Sequence, residues 1–580
     1  MKKYFAFFGT LVFALAFSIV FSGCKPLDMP TLSYTLTYYG NGSDGGTVPT
    51  DTSKYIVGTQ ATALDNIGNL TNGSKEFFSW NTKPDGTGTW YPAGARITMS
   101  SHVKLYASWQ DPLVAGERNF WAMKVTDNTW YTVKAKIIGE SAHSIVYADV
   151  TQTGITESNG AEIAAKYESA IYTQITGAFG DIYDVDKNGK VIFLLLDIID
   201  GYTGSGGYVA GYFQGYQMYS KAAAPYSNAA DMLYMDTNPG FNPVNANAMQ
   251  SFYSTMAHEL QHLIEFSQTV IKGKSEKDVW INEGLSTGAE YIYGNGTGSP
   301  AQQTSRINYF NSDPEDTIVY GNNFFVWDGW WEMPSHGGDV LADYATAYLF
   351  FQWLRIHADN DTGIYKEIIA SPYADYRAVT YPANLRTSII SSSTDWDNLL
   401  SSWMIANARK DSSGVYGYKG QITPMITYFN LATPVTTYEF APGEGIYSLF
   451  AGGHTSLSAS SVPSGQPHIK YAGIPSTGTT IGRTAPYTGE LLLTYNANTD
   501  TGGGYELGVI LNHQNSGSTT NGLMNLRNMA IAPTEPLPTS YPIDVHFKPD
   551  GTVSDSPHAG TSVPTKKGTS VKKLVPLDKE

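Results

Sequence analysis

One cysteine, Cys24, stands in a chain of 580 residues. No disulfide can close within the chain, and no thiolate zinc site or iron–sulfur cluster can be built from it. Each domain must therefore be held by an apolar core, and 42% hydrophobic residues supply the material. The length fits roughly three or four domains of ordinary size. Any metal must be held by His, Asp or Glu. The formal charge of −16 argues against a nucleic-acid partner, which would require cationic side chains to neutralise phosphates.

The position of the cysteine is equally informative. Lys2-Lys3 opens the chain, an apolar run of 18 residues follows from Tyr4 to Phe21, and Ser22-Gly23 precedes Cys24. A positive end, an apolar stretch and small residues at a boundary are the parts of a secretory signal. The arrangement resembles a bacterial lipoprotein signal, with Phe21 departing from the usual aliphatic residue. That resemblance implies that residues 1–23 are removed and that Cys24 is lipidated. The body would then sit outside the cytoplasm, in the cell envelope or at the cell surface, anchored to a membrane by its lipid. An uncleaved anchor competes with this reading, because 18 apolar residues approach the length of a membrane span.

Residues 24–32 read as a short Pro-containing tether. In residues 33–110, Tyr34, Leu36 and Tyr38 alternate, as do Val103, Leu105, Ala107 and Trp109, so both ends read as strands. The unit resembles the internalin B-repeat family. The resemblance is carried by Gly45-Gly46-Thr47-Val48-Pro49, Phe78-Ser79-Trp80-Asn81, Asp85-Gly86-Thr87-Gly88 and Leu105-Tyr106-Ala107-Ser108-Trp109. It implies a small β-grasp-like module with a spacer or adhesive role. Residues 112–430 alternate between helix and strand patterns, with a buried strand expected over 190–199 and helices over 161–180, 246–272, 283–293, 340–358 and 394–408. Residues 431–546 return to strand patterns and read as an all-β, sandwich-like domain. Residues 547–580 are polar, with Pro, Gly and Lys pairs, and read as a disordered tail.

The sharpest chemical signal is His258-Glu259-Leu260-Gln261-His262. Its helical pattern follows Asn242-Pro243, read as a cap and first-turn proline. Met249, Phe252, Met256, Leu260, Leu263 and Val270 recur at helical spacing as one buried stripe. His258 and His262 share a face away from that stripe. Two imidazoles four residues apart can chelate one ion, and Glu259 beside them can reach a water bound to it. A partly exposed helix that happens to carry these residues is the competing reading of the pentapeptide alone.

A hydrolytic zinc site needs a third protein ligand and an open position for water. Glu283, in Trp280-Ile281-Asn282-Glu283-Gly284-Leu285-Ser286, opens a second helix, and Glu290 lies further along the same face. Either can serve, while Glu265 on the first helix points away from the histidines. The Asn-Glu-Gly-Leu-Ser context resembles gluzincin metallopeptidases and favours Glu283. The whole of 112–430 resembles the hyicolysin family of bacterial zinc metallopeptidases. Five segments carry this: Asp186-Lys187-Asn188-Gly189-Lys190, Gly207-Tyr208-Val209-Ala210-Gly211-Tyr212-Phe213, Ala257 to His262, Trp280 to Ser286, and Tyr344-Ala345-Thr346-Ala347-Tyr348-Leu349-Phe350-Phe351. The resemblance implies an α+β zincin-like domain in which Zn2+ is held by His258, His262 and Glu283. Glu259 would act as general base on peptide or protein substrates. Tyr344 would be the oxyanion donor, with Tyr348 and His336 as alternatives.

Asp184-Val185-Asp186-Lys187-Asn188-Gly189 carries the first half of a calcium loop, with Asp184, Asp186 and Asn188 at its ligand positions. The twelfth position, where such a loop places a bidentate acid, is Leu195, so a tight turn competes with bound Ca2+. Two functions remain in play. One is a lipid-anchored zinc endopeptidase outside the cytoplasm. The other is a surface adhesin or binding lipoprotein with an inactive peptidase-like domain. The intact His258, Glu259 and His262 set favours the first.

Overall fold

The computed structural model describes residues 32–297, 301–314, 340–385 and 395–426, with shorter segments among 318–325 and 429–547. Cys24 with its signal, His336 and the tail beyond 547 lie outside the described residues. The chain divides into two compact units, residues 1–112 and 113–580.

In the first unit, Leu36–Tyr39 pairs in parallel with Val103–Gln110, which pairs antiparallel with Glu76–Asn81, which in turn pairs with Trp90–Tyr91. Alternate residues of Leu36–Tyr39 are buried, so Leu36 and Tyr38 face inward while Thr37 and Tyr39 face out. The Tyr38 ring meets the edge of Trp80 at 4.8 Å, and Trp80 Nε1 donates to the Leu64 carbonyl at 2.7 Å. Among its described residues this unit consists of strands and turns, with no helix.

The second unit is built on a mixed sheet of β1 (Glu117–Met123), β2 (Trp130–Glu140), β3 (Ser144–Asp149), β4 (Val191–Leu196), β5 (Tyr208–Gln214) and β6 (Met232–Asp236). The spatial order is β5-β6-β4-β3-β2-β1, with Pro542–Phe547 added in parallel outside β5. Strands β3, β4 and β6 run parallel, and β5 runs antiparallel to β6. The continuous apolar run of β4 follows from burial on both faces. Phe193 and Leu195 join the large helical core, and Ile192, Leu194 and Leu196 join a second core on the other face.

The helices are α1 (Glu157–Lys166), α2 (Thr173–Phe179), α3 (Ala246–Gln268), α4 (Val279–Thr297), α5 (Ala301–Ser312), α6 (Val340–His357), α7 (Gly363–Ala370), α8 (Arg377–Leu385) and α9 (Trp396–Arg409). The single helix expected over 161–180 is two helices joined by a π turn at Tyr167–Tyr172. Helix α3 is capped by Asn245, whose side chain accepts from the backbone of Asn247 and Ala248, rather than by Asn242. It is also buried on every side from Phe252 to Ser267, whereas the sequence pattern implied one buried stripe. The sheet covers one flank of α3 and α4 covers another, so its polar residues must find partners inside the protein.

The strands Gly445–Leu449, Leu491–Asn496 and Ile469–Ile474 form an antiparallel sheet that packs against α9 and shares the large core. Tyr447 donates to the Met404 carbonyl and Tyr495 to Asp397, each at 2.6 Å.

Candidate active site

Helices α3 and α4 are joined by a short connection that returns the chain alongside itself. Glu265 fixes this return by accepting from the Lys277 backbone at 3.0 Å. The Lys277 ammonium donates to the carbonyls of Ser371 and Tyr373, at 2.8 and 2.6 Å. Trp280 anchors the first turn of α4 in a cluster of Phe324, Phe325, Phe350, Phe351 and Trp396 rings. These anchors bring Glu283 opposite the two histidines across 21 residues of sequence.

A glycine permits the third helix to approach. A Cβ on Gly284 would lie 2.2 Å from the Phe351 ring, so α6 packs against α4 only where this side chain is absent. The close approach sets Tyr344 of α6 beside Glu283, to which it hydrogen-bonds. Gly284→Ala is expected to destabilise by about 1–3 kcal/mol through overpacking. A lower melting temperature measures this, and an unchanged one would show that α4 and α6 can separate at no cost.

The three helices bring one set of donors together. His258 Nε2 lies 3.3 Å from Glu283 Oε2, and His262 Nε2 lies 3.6 Å from the same oxygen. All three side chains are buried. The other imidazole nitrogens are engaged: His258 Nδ1 lies 2.9 Å from Glu290 Oε1, and His262 Nδ1 lies 3.0 Å from Asn282 Oδ1. Both partners are acceptors, so each Nδ1 carries the proton and each Nε2 presents its lone pair to the shared centre. Burial acts to raise the Glu283 carboxyl, but positive charge on His262 and His258 when these are protonated, with the Tyr344 hydroxyl, outweighs it and holds the group below its ordinary range. Glu290 is likewise buried, yet Arg306 and His258 bring it down to about 2.

This donor set suits zinc. Two neutral imidazoles and one carboxylate form a three-ligand catalytic type. Tetrahedral ligands at about 2.0–2.1 Å from an ion stand roughly 3.3–3.4 Å apart, close to the separations found here. Glu259, one residue round the helix from His258, faces β5. A Cβ on Gly211 of that strand would lie 3.4 Å from Glu259 Cγ.

Other sequence candidates fall differently. Glu290 meets the outer nitrogen of His258 rather than the shared centre. Tyr344 lies at the site, its ring 6.2 Å from that of His258. Tyr348 is buried, and burial raises its hydroxyl pKa well above the ordinary value. Two residues of the site escaped the sequence reading. Asn282 stands in the motif before Glu283 with no role that its position in the sequence assigns. Arg306 gave no signal, since its partner Glu290 lies 16 positions away on another helix.

A second acidic group brings Asp231 to Asp184 and Asp186 of the expected calcium loop. Asp186 accepts from the Asn188 backbone at 3.3 Å and Asn188 from the Lys190 backbone at 2.6 Å, each an Asx turn, and Asp184 accepts from the Gly189 backbone at 3.0 Å. Burial pushes Asp231 up to about 7. Its folded-state pKa therefore lies above the roughly 3.9 of an unfolded aspartate. The resulting contribution favours folding fully below about pH 4 and is lost as pH rises through about 7. Asp231→Asn should thus raise the melting temperature at pH 8 relative to wild type, with a smaller gain at pH 5. An equal shift at both pH values would contradict this reading.

No protein-family model matches the chain. The neutral metalloprotease ShpI of Staphylococcus hyicus is 30% identical over 301 residues, which are 51% of this chain and 63% of that protein. The chain thus spans less than two thirds of this relative. Among solved structures, yeast LTA4 hydrolase in complex with bestatin is similar at 12% identity over 49% of this chain and 44% of that one. Its TM-score of 0.30 is too low to assign a fold.

Proposed function

We propose that this chain is a zinc-dependent peptidase of the hyicolysin type, acting on proteins or peptides outside the cytoplasm. The observation that carries the reading is the convergence of His258 Nε2, His262 Nε2 and Glu283 Oε2, with each imidazole held from behind by Glu290 or Asn282. Relatedness to a metalloprotease over half the chain supports it.

When bound by His258, His262 and Glu283, zinc supplies Lewis acidity and brings a water's pKa towards about 7. Glu259 takes the proton of the attacking water and delivers it to the leaving nitrogen. The Tyr344 hydroxyl, whose single proton is directed at Glu283 before substrate binds, redirects it to the oxyanion that develops on the scissile carbonyl. Asn282 and Glu290 keep both imidazoles in one tautomer. The N-terminal signal adds a lipid anchor at Cys24, and the internalin-like module of residues 33–110 serves as a spacer above the membrane.

The test is cleavage of an unfolded protein by the purified chain, with and without a chelator. Chelator-sensitive cleavage is expected. A chain that binds zinc stoichiometrically and leaves such substrates intact would overturn the reading in favour of a binding protein.

A further inference from the structure

The supports of the site join behind it. Arg306 of α5 donates to both oxygens of Glu290, from Nη2 to Oε1 at 2.9 Å and from Nε to Oε2 at 3.4 Å. Its guanidinium also lies over the Tyr344 ring, 4.6 Å from the centroid. Glu290 Oε1 is the same oxygen that meets His258 Nδ1, and Tyr344 hydrogen-bonds Glu283. The contacts therefore close a circuit: His258 to Glu290, Arg306, Tyr344, Glu283 and back to His258.

We infer that Arg306 is a positioning residue, setting the plane of the His258 imidazole through Glu290 and the place of the Tyr344 hydroxyl through its ring. The inference rests on the zinc-peptidase reading of the site. Two physical arguments support it. First, one group makes two contacts at once: Nη2 and Nε fork onto the Glu290 carboxylate while the guanidinium carbon lies over the Tyr344 ring. A lysine ammonium can supply the charge but not both geometries. Second, the charges require a cation here. Glu259, Glu283 and Glu290 are all buried, and a divalent ion balances only two of them. Arg306, 7% exposed, supplies the remaining positive charge through its pairing with Glu290. Without it Glu290 would be left as a buried, uncompensated carboxylate behind a metal ligand.

The test uses the full chain with Arg306→Lys, Arg306→Met, Tyr344→Phe and the double variant Arg306→Lys/Tyr344→Phe. Zinc affinity is read by competition with a chromogenic chelator, and kcat and KM are read on a peptide. Arg306→Lys should keep the fold, weaken zinc about tenfold, as losses of outer support do, and lower kcat about tenfold with KM within about threefold. In the Tyr344→Phe background the same change should lower kcat by less than about threefold, because part of its action passes through the tyrosine. Arg306→Met should weaken zinc at least as much, and if it does not fold, Arg306→Lys decides the matter. Zinc affinity and kcat within twofold of wild type in Arg306→Lys would overturn the inference. So would losses in kcat that multiply fully in the double variant. If the wild-type chain cleaves nothing, the peptidase reading fails while the zinc-affinity comparison still decides the role of Arg306.

Discussion

Glu259→Gln should abolish peptide hydrolysis while leaving zinc in place. Glutamine matches glutamate in shape, and the position is fully buried against β5, so the fold has little reason to change. What is lost is the carboxylate proposed to take a proton from the attacking water. Positioned proton transfer contributes about 10²–10⁴-fold, and kcat should fall by that factor. KM should stay near its wild-type value, because the group acts on the transition state rather than on substrate binding. Zinc content by elemental analysis should remain one ion per chain. Activity within a few-fold of wild type would place the proton acceptor elsewhere.

Glu283→Ala should have an equally large effect by a different route. The substitution removes one of three converging donors and leaves two histidines sharing a buried space with no carboxylate opposite them. Removal of an outer support already costs 10–100-fold in metal affinity, so loss of a ligand should exceed about 100-fold. A metal that binds only the folded chain stabilises it by about 4 kcal/mol when present at a thousandfold excess over its dissociation constant. Under the same zinc excess chelation should therefore lower the melting temperature of wild type far more than that of Glu283→Ala, whose gain from zinc falls to about 1.4 kcal/mol or less. A variant that gains as much stability from zinc as wild type would show that the third ligand is another residue.

The helix carrying His258 and His262 could be read from the sequence because a four-residue spacing on a 3.6-residue helix fixes which side chains share a face. Its burial could not. The apolar stripe at helical spacing reports one contact face, whereas the sheet and α4 enclose the helix from several sides, and that depends on residues distant in sequence. Glu290 shows the same limit at atomic scale. Its spacing from Glu283 places it on the correct face of α4, but only the packing decides that it meets Nδ1 of His258 rather than the shared centre. Arg306 was invisible because nothing local marks a surface-type residue as one buried between a carboxylate and an aromatic ring. The cap of α3 was misplaced by three residues because Asn242-Pro243 and Asn245 both fit a start signal, and the chain uses the second. Glycine at 284 was visible as part of a motif, while its reason, the Phe351 ring pressed against it, belongs to the helix packing.

Hydrolysis is expected to require one zinc ion held by His258, His262 and Glu283. The most direct measurement is a zinc titration of the metal-free chain, following peptide cleavage at protein concentrations well above the dissociation constant. Activity should be absent in the apo chain, rise linearly with added zinc and break at one equivalent. Cleavage by the metal-free chain, or one bound equivalent of zinc with no cleavage, would contradict it.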